Sequence, residues 1–340
     1  MFNDLNSQMN RLLTTSFFCF LCLFHLDIMG QGVSYQVNEA RGDVNGDGVV
    51  NAADIVAVVN EIFGQSARTA KGLIVKKDGG GDYTSLSEAI IENMGNWGVT
   101  IILEEGEYDL IQELEDYYGT SDFLSHTPCG RGIELGYDIT IKASPKAIIK
   151  ANYTGEDERM LVYFSPFNSY CVPDVGGFSL IGVNIQCSRV RYVIHDEKGV
   201  NGMGPYNNLY ENCNFYINNT NNSSWGVSVC IGGGLGHNGC IVVKNCVFEG
   251  IYPNRRDALV SWHNNATEGD KSFIWCIGNY LKGDKGFRFS WYGDSKEVTE
   301  VLLQGNIVGR ATIVGPEPGT DSPNENVHVK EYSTIVRQQD

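Results

Sequence analysis

Two stretches of this 340-residue chain concentrate side chains whose types and spacing could do chemistry. Residues 43–54 read Asp-Val-Asn-Gly-Asp-Gly-Val-Val-Asn-Ala-Ala-Asp, with oxygen-bearing Asp43, Asn45, Asp47, Asn51 and Asp54 at loop positions 1, 3, 5, 9 and 12. Gly48 sits where such a loop needs its sharp turn, and Val49 offers a backbone carbonyl next to it. An all-oxygen cage of this kind suits a hard cation of calcium size, so calcium is the expected structural cofactor. The second concentration runs over Arg189, Arg191, His195 and Asp196, then Asp257, Trp262 and His263, then Arg288, Trp291 and Tyr292. His195 or His263 could act as general base, with Asp196 or Asp257 as the orienting or acid carboxylate. Asp196 and Asp257 could also form a carboxylate pair of the glycoside-cleaving kind. Arg189, Arg191 and Arg288 could hold a carboxylate, bidentate where the geometry permits. Trp262, Trp291 and Tyr292 offer flat faces, although alternation along a strand must turn some of them inward. Each of these residues serves equally well as ordinary polar surface or core.

The elements that must position these groups are legible in the spacing. After the oxygen loop, Ile55, Val58, Val59, Ile62 and Phe63 form one apolar stripe on a short helix that stops at Gly64. Residues 65–71 read as a linker. From Gly72 onward the chain turns to short β-branched runs separated by Gly and Asn, beginning with a strand, a glycine turn and a helix over 85–93, where Ser85 and Glu88 make a capping box. IILEEGEYDL, ITIKAS and AIIKANY follow as expected strands. Between residues 180 and 310 the chain repeats itself. Gly-Val-Asn-Ile (182–185), Asn-Cys-Asn-Phe (212–215), Asn-Cys-Val-Phe (245–248), Gly-Asn-Tyr-Leu (278–281) and Gly-Asn-Ile-Val (305–308) align. A second set, RYVIHD, GVSVCI, ALVSWH and GFRFSW, interleaves with the first. Two strand sets recurring about every 30 residues describe a chain that winds and stacks each turn on the last. Helical solenoids share that period but need long amphipathic stretches that are absent here. The expected fold is all-β: a right-handed parallel β-helix of roughly eight coils over 72–340. A short N-terminal helix caps it, and a small EF-hand-like calcium repeat precedes it. Cys213 and Cys246, one repeat apart beside Phe215 and Phe248, read as an interior ladder.

Composition narrows the function classes. With 25 Lys+Arg against 41 Asp+Glu the net charge is −16, which argues against a nucleic-acid partner. Arg11 followed by the apolar run 12–26 reads as a secretory leader ending near residue 32, with an N-terminal anchor as the alternative. A released, extracellular or periplasmic protein with no membrane contact after cleavage is expected. Of ten cysteines, Cys19 and Cys22 fall in the leader, and mostly free buried thiols are expected among the other eight.

Residues 42–64 resemble a type I dockerin repeat, the module that plugs into cohesins on polysaccharide-degrading assemblies. Complete dockerins have two such repeats, and no second copy is found here. The resemblance implies calcium binding and a cohesin-like partner; a lone repeat can also serve as a calcium-stabilised spacer. KKDGGGDYTSLSEAI (76–90) followed by GEYDL (106–110) is similar to the N-terminal signature of pectinesterases in the pectin lyase-like β-helix superfamily. That resemblance implies the fold and a polysaccharide context. The catalytic motifs of pectinesterases and polygalacturonases have no counterpart here, so no catalytic residue is carried over. Together these features lead to a secreted protein that degrades or modifies a polysaccharide, uronate-containing and pectin-like, by lyase, hydrolase or esterase chemistry. The alternatives are a noncatalytic glycan-binding or adhesion β-helix and a calcium-held assembly scaffold.

Overall fold

The computed structural model describes residues 72–169, 177–198, 204, 207–220, 229–251, 258–264, 271–292, 295–296, 298–317 and 326–337. The leader, the oxygen loop, the linker and Asp257 lie outside the described residues. The chain divides between Arg68 and Thr69, and every described residue belongs to the second unit.

That unit is an all-β parallel solenoid. Its strands form three sheets of nine, eight and seven members, and each strand pairs in parallel with its counterpart one coil away. The seven-stranded sheet sets about seven complete turns, one fewer than the repeat spacing suggested. Each full coil runs from a strand in the first sheet through a two-residue turn into the second sheet, then by longer connections into and out of the third. The two-residue turn explains the sequence repeat. Gly182, Asn212, Asn245, Gly278 and Gly305 all stand at its first position with φ between 54° and 67°. That left-handed region is strained for most residues and easy only for Gly and, less so, Asn. Stacking then follows, because the amide of each turn residue donates to the next coil (Gly182 N to Glu211 O 2.9 Å, Asn245 N to Ile277 O 2.8 Å).

The next residue of each turn points inward. Cys213 and Cys246 occupy equivalent, fully buried turn positions, and Phe215 stacks on Phe248 at 5.1 Å. On the next two coils, asparagines take the same position. Asn279 Nδ2 donates to Asn306 Oδ1 (3.0 Å), while Asn279 Oδ1 accepts from Cys246 N (2.9 Å). Buried amides stacked this way satisfy turn groups that an apolar interior would strand.

At the N-terminal end, helix α1 (Leu86–Glu92) starts where Ser85 Oγ accepts from Glu88 N. IILEEGEYDL is not one strand. It breaks into Thr100–Leu103 and Gly106–Asp109, and Asp109 then caps an unforeseen helix α2 (Leu110–Tyr118), which ends at Gly119 in the left-handed region. A third helix, α3 (Glu158–Tyr163), is capped by Asp157. The buried Glu113 of α2 ties the first two helices together by accepting from Ser85 Oγ (3.0 Å), Ser87 N (2.9 Å) and Lys77 Nζ (3.2 Å). The last strand foreseen in VHVKEYSTIV is two, Val327–Tyr332 and Ile335–Val336. Six described cysteines are free thiols, as expected, but Cys129 is disulfide-bonded.

Candidate functional site

The first and second sheets alternate buried and partly exposed residues, as strands with one wet face should. The third sheet does not. Its strands Tyr192–His195, Val229–Leu235, Ala258–Asn264 and Gly286–Trp291 are buried almost without interruption on both faces. On the inner face the row Ile194, Ile231, Val260 and Phe287 joins the apolar core. The outer face of the same sheet is polar, and of the residues foreseen in the sequence it gathers His195, His263, Arg288 and Tyr292.

Two outer rows run across the coils. The first carries Glu134, Asn168, His195, Gly232, Ser261 and Arg288 in register. For the second, Asp196 N donates to Gly232 O (2.9 Å) and Lys198 N to Gly234 O (2.7 Å), which continues the same register past His195. Glu197 therefore lines up with Gly234, His263 and Ser290. Glycines occupy both rows on the middle coil, so no side chain separates Glu197 from His263. The backbone also forbids one nearby: a Cβ on Gly232 would lie 2.2 Å from Ser261 O, and one on Gly233 2.2 Å from Asp196 O.

His195 Nε2 lies 3.3 Å from Glu197 Oε2, and their side chains are 2% and 13% exposed. The His195 ring also stacks flat on Tyr192 (5.0 Å), over which the Arg191 guanidinium sits at 5.3 Å. Burial lowers the His195 pKa to about 4, with Arg191 and Arg131 adding to the effect and Glu197 opposing it. Burial alone would raise Glu197. The hydrogen bond from His195 and the positive charges of His263, His195 and Arg191 overcome it and bring the carboxyl to about 2. At neutral pH the His195 ring is thus neutral and acts on Glu197 through its N–H donor, beside the charges of His263 and Arg191. The result is a permanently ionised carboxylate aimed along the outer face and held by a neutral imidazole.

Asp196 is placed differently from the expected His–Asp pairing. Successive residues of a strand face opposite ways, so Asp196 turns inward while Glu197, two residues after His195, shares its face. The Asp196 carboxylate accepts from Asn208 Nδ2 (2.7 Å), Tyr210 Oη (2.9 Å) and Ser169 Oγ (3.3 Å). Burial raises its pKa to about 7 despite these donors. Trp262 and Trp291, 1% and 5% exposed, belong to the core, so neither offers a ring to a ligand. Tyr292 stays on the outer side, edge-on to His263 at 5.0 Å. Arg288 lies 3.7 Å from the buried Glu317, which also takes a hydrogen bond from Ser290 Oγ. Arg189 sits apart, on the turn that enters the sheet, with φ 54° and an ion pair to Glu156 at 3.0 Å. Glu197, Arg131, Glu134, Asn168 and Glu317 were not singled out in the sequence. The i, i+2 spacing of His195 and Glu197 was the available signal for the first.

Among the described residues no group of His, Cys, Asp and Glu is arranged to hold a metal. No helix of the described residues is long and apolar enough to cross a membrane. A cleft of about 310 Å³ lies beside the N-terminal helices, lined by Lys77, Ser85, Glu88, Glu113, Asp116 and Tyr117, but its buried carboxylate is already engaged by protein donors.

Residues 38–79 match the Dockerin type I domain, a span that begins before the oxygen loop and runs past the linker into the first strand, Gly72–Val75. A dockerin match fits the oxygen cage and calcium. No curated protein and no solved structure matches the chain.

Proposed function

We propose that the outer face of the third sheet is the catalytic face of a secreted, carbohydrate-active protein that cleaves or de-esterifies a polysaccharide. The observation that carries this reading is the ionised Glu197, held by His195 and facing His263 across the side-chain-free Gly234. Glu197 and His263 belong to strands two coils, or about 10 Å, apart at the backbone, with only Gly234 between them in register. In this reading the ionised Glu197 is the nucleophile, and His263 is the proton donor on the other side of the bond that breaks. His195 is a positioning residue behind Glu197. The choice of a uronate-containing, pectin-like polymer rests on the resemblance of residues 76–110; Arg191 and Arg131 already act on His195, and Arg288 is paired with Glu317. Tyr292 borders the His263 end. The dockerin match supports the polysaccharide context, calcium at Asp43, Asn45, Asp47, Val49, Asn51 and Asp54, export past the leader, and a cohesin-like protein partner.

Incubating the full chain with pectic, host and algal polysaccharides and weighing the products tests this reading. Unsaturated, water-added or de-esterified products name lyase, hydrolase or esterase chemistry, and His263→Ala should then lose at least 100-fold in kcat. Binding to a glycan without any product would favour the second reading, a noncatalytic glycan-binding β-helix. The near-complete burial of His195 is the observation on that side.

A further inference from the structure

The first sheet carries a second feature that the site above does not use. Strand Ser272–Ile277 alternates buried Ser272, Ile274 and Cys276 with outward Phe273 and Trp275, which are 38% and 44% exposed. In register with Trp275 stand Val242 on one neighbouring coil and Leu302 on the other, and Leu209 continues the row beyond Val242. The two rings follow one another two residues apart, about 6.6 Å along the strand. Charged groups border this apolar strip and are already paired. Lys244 holds Glu211 at 2.7 Å, and Lys271 and His328 hold Glu300 at 3.1 and 3.4 Å.

We infer that this strip is a binding platform for a neutral glycan chain, separate from the third-sheet face. A pyranose ring has an apolar C–H face and a rim of hydroxyls, and the C–H face suits the negative face of an aromatic ring. Trp275 and Phe273 offer two such faces in sequence, and the paired Lys and Glu groups at their margins offer donors and acceptors to the rim. Mutual neutralisation of those charges, on a chain of net charge −16, disfavours an anionic polymer here. A second copy of the chain is a poor occupant. The two rings expose on the order of 200 Å² together, smaller than the roughly 300–600 Å² apolar patch that an ordinary monomer carries without a protein partner. The inference rests on the carbohydrate-active reading and extends it: the platform would hold a neutral stretch of polymer while the other sheet does chemistry.

The test is affinity electrophoresis of the full chain through gels containing soluble xylan, β-mannan or hydroxyethyl cellulose. Retardation is expected in at least one gel, and Trp275→Ala should weaken it about tenfold, a loss of the size one buried aromatic contact gives. Phe273→Ala should weaken it as well, and turnover of a short soluble oligosaccharide should be unchanged in both variants. Wild-type protein that no neutral glycan retards, or variants retarded as strongly as wild type, would overturn the platform. So would a wild-type dimer by size exclusion that Trp275→Ala converts to monomer. These failures stay separate from failure of the proposed function, which would appear as no product from any polysaccharide or as full activity in His263→Ala.

Discussion

Replacing Asp196 by Asn should make the protein's pH–stability profile change shape. Asp196 is buried and its folded pKa is raised from 3.8 to about 7, so the folded chain keeps a proton that the unfolded chain has lost. Its contribution to stability is therefore complete below pH 3.8 and is lost as pH rises through 7. At 1.36 kcal/mol per unit, the loss between pH 4.5 and 7.5 comes to about 3 kcal/mol. His195 slopes the other way. Its folded value is lowered from 6.5 to about 4, so stability falls as pH drops through that window. Glu197, lowered from 4.5 to about 2, loses its contribution below pH 4.5. In wild type the Asp196 and His195 slopes largely offset one another between pH 4 and 6.5. Asn is isosteric with Asp and can still bond Asn208 and Tyr210, but it cannot titrate, so the variant exposes the His195 slope. At about 2–4 °C per kcal/mol for a domain of this size, the Tm difference between variant and wild type should favour the variant by about 6–12 °C more at pH 7.5 than at pH 4.5. Differential scanning fluorimetry at the two pH values reads this directly. An equal difference at both would mean that Asp196 titrates normally and is not the buried, inward-facing carboxyl described here.

Other outcomes follow from the same fold. Gly233→Ala puts a methyl against Asp196 O, and Gly232→Ala puts one against Ser261 O; each should lower stability by about 1–3 kcal/mol or more by thermal unfolding, whereas Gly315→Ala, with open space around it, should not. Asn279→Ala strands Cys246 N and breaks the asparagine ladder, for an expected cost of about 1–3 kcal/mol by chemical denaturation. The full chain should take up calcium by isothermal titration calorimetry, and Asp47→Ala should abolish it; a wild-type chain that takes up none would remove the dockerin-type cage from the account.

The solenoid was legible because its physics repeats. Each coil needs one left-handed turn residue, only Gly and Asn fill it easily, and so 182, 212, 245, 278 and 305 announce the winding at a fixed offset. Helix α2 was hidden because Gly106-Glu-Tyr-Asp109 is a real strand and the chain changes state at its last residue, where Asp109 turns from strand end to helix cap. The site was half legible. His195, His263 and Arg288 do share the outer face, since register follows from the repeat. Asp196, the expected partner of His195, turns inward to Asn208 and Tyr210, while Glu197, two residues after His195, shares the His195 face because side chains alternate along a strand. Trp262 and Trp291 were ambiguous for the same reason: their type allows either face, and only the local phase of the strand turns them inward.

In the proposed function Glu197, not Asp196, faces the reaction, so the measurement that bears on it most directly is turnover of Glu197→Gln beside Asp196→Asn on whichever polysaccharide the wild-type chain converts. Glu197→Gln should retain its fold and lose at least 100-fold in kcat, while Asp196→Asn stays within about threefold of wild type at pH 7. Full activity in Glu197→Gln, or a collapse confined to Asp196→Asn, would contradict the assignment of the outer face of the third sheet.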